Sequence, residues 1–415
     1  MVTKKIVIFG TLFFVVGSLY AIKVIFFTKP EPIRIGILHS LTGYMATGER
    51  PAVDAAMLAI EEINAAGGII GRKVEPIIAD GASDRTIFMQ QAEMLITEKK
   101  VHAIIGTQSS ASRKAVKEVA ERYNNLFICP SQYEGVEVSD NTIYTGATAN
   151  QQILPAIMWC SKNIGKRFFI IGSEEIYSAI GGIIIEELLK SIHCELVGQI
   201  YLQLGSKDVA GAIEAIQKTK PDVILNMMYS DTNIYFFKAL RAAGITPDKI
   251  PTMSFSIAEP DIQEIGPSLM VGDYASWSYF QSVQSNENKD FVKAFKKRYG
   301  ENRVIYDMME AAYFSIYLWK EGIEFAGTPD PARVFLFIQN QNLVAPEGNI
   351  NIDGYNHNTW KMCRIGKVNT DGQFDIVWSS KKTVYPLIYL FKSPQEWDQI
   401  LKEIYNKWGG RWARD

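Results

Sequence analysis

Charge of one sign is missing from this 415-residue chain: 43 Lys and Arg stand against 45 Asp and Glu. That balance leaves no basic stripe to track a phosphate backbone, so nucleic acid is not an expected partner. Cysteine and histidine are scarce, with four of each. The spacings of Cys129, Cys160, Cys194 and Cys363 fit no zinc or redox motif, and the expectation is free, mostly buried thiols. Among His39, His102, His193 and His357 no two lie one helical turn apart, as a metal pair on one helix requires. His39, after a strand, is read as structural. No metal or other cofactor is expected. The phosphate loop G-x-x-x-x-G-K-[ST], the dinucleotide fingerprint G-x-G-x-x-G and the nucleophile elbow G-x-S-x-G are all absent. Glu174 and Glu175 are adjacent, and adjacent side chains do not readily converge on one substrate atom as an acid–base pair must. The chain is therefore not expected to be an enzyme. Long low-complexity tracts are lacking too, while aromatics reach 12%, so little of the length should be disordered.

What is present begins with Lys4 and Lys5 followed by the uncharged run Ile6–Ile22. A basic start and an apolar stretch read as an export signal. The run resumes after Lys23 to Phe27, so an uncleaved anchor also fits, approaching the ~20 residues that span a bilayer. Either reading sends the rest of the chain out of the cytoplasm, to a periplasmic or other extracytoplasmic site. No cysteine ends the run, which argues against a lipid-modified N-terminus.

From Ile33 a rhythm sets in. "IRIGIL", "KVEPIIAD", "VHAIIG" and "NNLFIC" are strand-like and alternate with helical patterns. After a break near Ala147–Gln152 the alternation restarts with "RFFIIG", "ELVGQIYL", "DVILNM" and "IPTMSF". Near-continuous apolar strands alternating with helices imply an α/β fold with parallel sheets covered on both faces. Two such halves imply two lobes. The division expected is 31–148 with 275–350 in the first lobe and 149–274 with 351–390 in the second. Residues 1–30 form the signal or anchor, and 391–415 an amphipathic tail packed on the surface.

In open parallel sheets, ligands sit beyond the carboxyl ends of the strands. Here those ends are rich in hydroxyls, amides and carboxylates: "GTQSS" (106–110), "CPSQY" (129–133), "GSEEIY" (172–177), "NMMYSD" (226–231) and "SFSIAE" (254–259). Such groups, joined by the free N–H donors of helix N-termini, suit a small polar solute. Ser83, Ser110, Ser112 and Thr232 also suit helix capping.

Several long segments are collinear with a known family: "IRIGILHSLTGYMA", "AIEEINAAGGIIGRKVEPIIADGASD", "SASRKAV", "YEGVEVSDNTIYTGATANQQILPA" and "RIGKVNTDGQFDIVW" among them. From about Ile33 to Trp378 the chain resembles the urea ABC transporter's substrate-binding subunit. More widely it resembles the amide-binding regulator of aliphatic amidase operons. Both are leucine/isoleucine/valine-type periplasmic binding proteins. The resemblance implies two Rossmann-like lobes joined by three crossovers, with a solute trapped by hinge closure. It also implies ABC permease subunits as partners. It assigns Ser110 to the solute and places Ser131, Tyr177, Asp231, Ser256 and Glu259 at pocket positions. Departures concern Thr107 and Gln108, where urea binders usually read Cys and Trp, and Cys129, Pro130 and Ser131, where they read "YPV". They also concern "GSEEIYSAIGG", which has acid in place of a Pro-Arg pair. The expected ligand set is Gln108, Ser109, Ser110, Cys129, Pro130, Ser131, Gln132, Glu175, Tyr177, Asp231, Ser256 and Glu259. The expected solute is urea or a short-chain amide. An amino-acid-like or cationic solute remains open because Glu175 adds a carboxylate, and a membrane-anchored sensory role remains open beside uptake.

Overall fold

The computed structural model describes residues 30–229, 231–339 and 341–414, so the N-terminal apolar run and its two readings lie outside it. Along β1 (Ile33–His39) Ile33, Ile35, Ile37 and Leu38 are all fully buried, as a strand covered on both faces requires. The α/β alternation continues through α1 (Ala46–Ala65), β2 (Val74–Asp80), α2 (Arg85–Thr97), β3 (Ala103–Gly106), α3 (Ser110–Arg122), β4 (Leu126–Cys129) and the short β5 (Thr142–Tyr144). These five strands form one parallel sheet in the order β2-β1-β3-β4-β5.

The second half repeats the scheme with α4 (Ala149–Asn163), β6 (Arg167–Ser173), α5 (Ile176–Ser191), β7 (Glu195–Leu202), α6 (Ala210–Thr219), β8 (Val223–Met227), α7 (Thr232–Ala242) and β9 (Thr252–Ser254). Two short helices, α8 (Glu259–Ile265) and α9 (Pro267–Met270), lead to β10 (Tyr274–Trp277). Helices α10 (Asn286–Tyr299), α11 (Asp307–Ala326) and α12 (Pro331–Ile338) follow, and α11 packs on α1 of the first half. Strands β11 (Asn342–Ala345), β12 (Gly348–Ile352) and β13 (Thr359–Trp360) make a small antiparallel sheet. Finally β14 (Arg364–Val368) and β15 (Phe374–Ser379) return to the second sheet, whose order is β15-β14-β10-β9-β8-β6-β7. Its core is parallel, and β14 and β15 add an antiparallel edge. The sequence boundaries proposed at 274/275 and 350/351 would cut β10 and β12, and the structure keeps both strands whole.

Strand order fixes where a cleft can form. The first sheet reverses direction between β1 and β3, and the second between β6 and β8. At such switch points the connecting helices leave on opposite faces and open a crevice. The crevices of the two sheets are therefore framed by residues after Gly106 and after Ser173 and Met227. A Cβ at Gly106 would lie 1.8 Å from the Leu38 carbonyl oxygen, so only glycine lets β3 close on β1 there. The next residue, Thr107, is held in the left-handed region at φ 70, a strained conformation at the mouth of the crevice.

The tail packs on the second lobe through one apolar stripe. In α13 (Pro394–Lys407) Trp397 is fully buried beside the core that Ile180, Ile184 and Leu188 of α5 help form, and its indole N–H donates to the Leu390 carbonyl at 3.0 Å. The amphipathic pattern is legible in the sequence, and its apolar stripe, Trp397 and Leu401, is the buried face of an otherwise largely exposed helix. Replacing Trp397 with Ala should therefore cost about 3–5 kcal/mol of stability, read as a lower midpoint in urea denaturation. A change below ~1 kcal/mol would mean that the Trp397 anchor adds little to the fold.

Candidate functional site

Helix α3 begins with Ser109 as its N-cap, whose hydroxyl accepts from the Ser112 N–H at 3.1 Å. The sequence allotted capping to Ser110 or Ser112. The cap falls at Ser109 because the helix starts earlier, at Ser110. The first free N–H of α3, that of Ser110, points across the cleft and donates to Glu175 Oε1 at 3.2 Å. Glu175 is the N-cap of α5, and its Oε2 accepts from the Tyr177 N–H at 2.9 Å. One carboxylate thus sits between two helix N-termini that face each other from opposite lobes, where partial positive charge from both converges.

That carboxylate is almost wholly buried, and burial together with the nearby Glu134 charge pushes its pKa up to about 8. Beneath it, Arg113 is buried and binds Glu134 at 2.8 Å and Glu137 at 3.0 Å. Lys114 adds a second pair to Glu137 at 2.8 Å. The Ser110 hydroxyl donates to Glu134 at 2.5 Å and accepts from Arg113 at 2.7 Å. Arg113 and Lys114 hold the Glu137 carboxyl well below its usual range. The Tyr133 and Tyr144 rings stack at 4.7 Å, with Arg113 over Tyr133. The Ser110 hydroxyl, expected to hold a solute, is therefore committed to an internal ion pair.

Beside this network the lobes frame a cleft of about 60 Å³. Of the expected residues, Gln108, Gln132, Asp231 and Ser256 line it. Gln132 Nε2 bridges the lobes to the Tyr229 hydroxyl at 3.3 Å. The Ser256 hydroxyl turns back to the Met228 carbonyl at 2.6 Å. The Gln108 side-chain oxygen is buried and has no partner among the described residues. Rings of Tyr44, Tyr229, Trp277 and Tyr306 wall the cleft, and Asp261 and Glu264 add carboxylates at its edge.

Several expected residues lie elsewhere. Cys129, the last residue of β4, is fully buried in the first lobe's core, because its side chain falls on the covered face of the sheet. Pro130 is likewise buried behind it. Ser131 donates to the Thr107 carbonyl and to the Met308 sulfur, at 3.4 Å for the latter, so it braces two loops. Ser109 lines a separate, second pocket, together with Arg85 and Trp412. Tyr177 is buried with its hydroxyl on Gln152 at 3.1 Å, edge-on to Tyr229. Glu259 is buried and accepts from the Gln281 N–H at 3.0 Å, which ties α8 to the crossover after β10. His39 is buried and pairs with Glu49 at 3.0 Å. Cys129, Cys160, Cys194 and Cys363 are free. Among the described residues no group of His, Cys, Asp and Glu could hold a metal ion, and no helix is long and apolar enough to cross a membrane.

The residues missed are mainly aromatic. Trp277 ends "YASW", a strand of only four residues, and Tyr306 precedes α11, away from any strand end. Applied to "YASW", the strand-end rule would have named Trp277.

The tail reappears at that second pocket. The Trp412 carbonyl accepts from the Ile176 N–H at 3.0 Å, and the Arg414 N–H donates to the Glu174 carbonyl at 2.8 Å. Both bonds flank Glu175. The Lys114 ammonium, from the first lobe, lies 4.7 Å from the Trp412 ring centroid.

Comparison with known proteins places this geometry in context. A family model described as "Periplasmic binding protein domain" matches residues 33–395. A Brucella suis biovar 1 (strain 1330) protein named Leu/Ile/Val-binding protein homolog 7 is 24% identical over 291 residues, 65% of this chain and 71% of that one. A 120-residue stretch is 39% identical to a Geobacillus stearothermophilus protein named limonene hydroxylase, spanning 29% of this chain and only 22% of that protein's length. A solved R. palustris ABC-transporter solute-binding protein in complex with 4-hydroxybenzoate superposes with TM-score 0.79 at 20% identity, over 85% of this chain and 98% of that one. A branched-chain amino acid transporter substrate-binding protein from Streptococcus pneumoniae, in complex with isoleucine, gives 0.76 at 21%, over 86% and 100%. The fold is that of the type I periplasmic binding proteins.

A carboxyl whose pKa rises from 4.5 unfolded to about 8 folded holds its proton more tightly in the folded state. Its contribution to stability is complete below the unfolded value and is lost as pH rises through the folded one. Melting temperature should therefore fall between pH 4.5 and pH 8, and Glu175→Gln should flatten that slope. An equal slope in both proteins by scanning calorimetry would remove Glu175 as its source.

Proposed function

The chain belongs to the periplasmic binding protein domain family, and on that premise we propose that it is the extracytoplasmic receptor of an ABC uptake system. It traps a small polar solute rich in N–H donors, of the class of urea and short-chain amides, between its lobes. It hands that solute to permease subunits in the membrane. The observation that carries this reading is the cleft at two facing switch points, lined from both lobes and bridged by Gln132 to Tyr229. A solute touching both lobes binds only the closed form, so binding shifts the population toward closure.

The lining supports a planar amide. Aromatic faces cover a flat ligand, and the unpartnered Gln108 oxygen and the Asp231 carboxylate accept from N–H donors. The neighbours named above were solved with 4-hydroxybenzoate and isoleucine, both carboxylates. Here Glu175 already supplies a carboxylate to the helix N-terminus at Ser110. That observation weighs against the amino-acid-like alternative, which would bring a second anion.

Gln108→Leu and Gln132→Leu should each weaken solute binding by about 10-fold or more, since each leaves a polar partner unmatched. Titration calorimetry with urea and acetamide checks this against melting temperature. Unchanged affinity in both variants would move the solute out of this cleft.

A further inference from the structure

We infer that the cleft selects its solute by charge, and that the solute is a small organic cation carrying a planar N–H-rich group such as an amidinium or guanidinium. This rests on the receptor reading and names the ligand class within it. Three independent observations converge. First, the charged side chains lining the cleft are all carboxylates: Asp231 and Glu264, both exposed to it, and Asp261, partly so. No Lys, Arg or His is among the described lining residues. Second, the cleft is walled by rings of Tyr44, Tyr229, Trp277 and Tyr306, whose negative faces attract a cation while covering a flat one. Third, the Gln108 oxygen is a buried acceptor without a partner, which calls for a donor rather than an anion.

The carboxylates act on one another. Burial and Glu264 push Asp261 up to about 7, while burial and Asp231 push Glu264 up. A cation relieves that repulsion, a neutral amide leaves it, and an anion adds to it. Beside the cleft, the helix N-termini at Ser110 and Tyr177 are both occupied by Glu175. A carboxylate-bearing solute meets like charge from Asp231 and Glu264 at the edge of the cleft.

The experiment is a thermal-shift and calorimetry series on the full-length chain at neutral pH. It uses isosteric pairs, acetamidinium against acetamide and methylguanidinium against methylurea, with benzoate and isoleucine as carboxylates. The expected result is that each cation binds at least 10-fold tighter than its neutral partner and that the carboxylates are silent. In the exposed-site variants Asp231→Asn and Glu264→Gln the cation's advantage over its neutral partner should shrink by 3-fold or more. Their exposure keeps folding intact, which the melting temperature without solute verifies. An amide or a carboxylate binding as well as the cations, or an advantage unmoved by both variants, overturns the charge assignment and leaves the receptor reading standing. Silence of the whole panel overturns both.

Discussion

One buried carboxylate organises the meeting of the two lobes. Glu175 caps its own helix, α5, and accepts from the first N–H of α3 in the other lobe. Helix N-termini leave donors that must be satisfied, and two such ends facing each other would repel through their aligned dipoles. A carboxylate between them satisfies a donor of each and reverses the sign of the local field. The lobes therefore need acceptors at this point, and the Glu175 carboxyl supplies them from within the chain.

The surrounding structure keeps that carboxyl in place. On the first-lobe side, Arg113 is buried among Glu134, Glu137 and the Ser110 hydroxyl, which fixes the start of α3 that receives Glu175. A buried charge network holds together only when each member is paired, and here Arg113 and Lys114 balance Glu134 and Glu137. On the second-lobe side, the tail residues Trp412 and Arg414 bond to the backbone on either side of Glu175. The tail is anchored by Trp397 in the second lobe's core, so it belongs to that lobe and reaches the first through the Lys114–Trp412 contact. Positioning Glu175 thus draws on residues that are distant in sequence, 113, 134, 397 and 412 among them.

That dispersal explains what the sequence disclosed. The α/β rhythm, the parallel sheets and the antiparallel edge were legible, because buried strands and amphipathic helices imprint a period on the chain. Polar strand ends pointed to the cleft, and Gln108, Gln132, Asp231 and Ser256 do line it. The failures share a cause. Cys129 and Ser110 stand at the right strand ends, but which way a side chain turns depends on the pleat and on partners such as Arg113, which no local pattern records. The acid at Glu175 was noticed, yet its seat on the Ser110 N–H depends on the register between two lobes, 65 residues apart in the chain. Strands of three or four residues, such as β5 and β10, are too short for periodicity to register. Trp277 was missed with β10.

The built-in carboxylate also changes what closure costs. Where the lobes meet, Glu175 and the Ser110 N–H exchange water for each other, and a hydrogen bond to a charged group is worth about 1.5–3 kcal/mol net. Against this stands desolvation of the carboxylate beside Glu134, which pushes its pKa up to about 8. The two effects oppose each other at the same atoms, so this bond adds less to closure than a fully solvated charge would suggest. What it adds still bears on binding, because apparent affinity falls in proportion to the scarcity of the binding-competent state. An anion in the cleft would raise the cost of keeping Glu175 ionised and work against the contact that joins the lobes. A cation lowers that cost and strengthens the same contact, so its binding and closure reinforce each other through a single group.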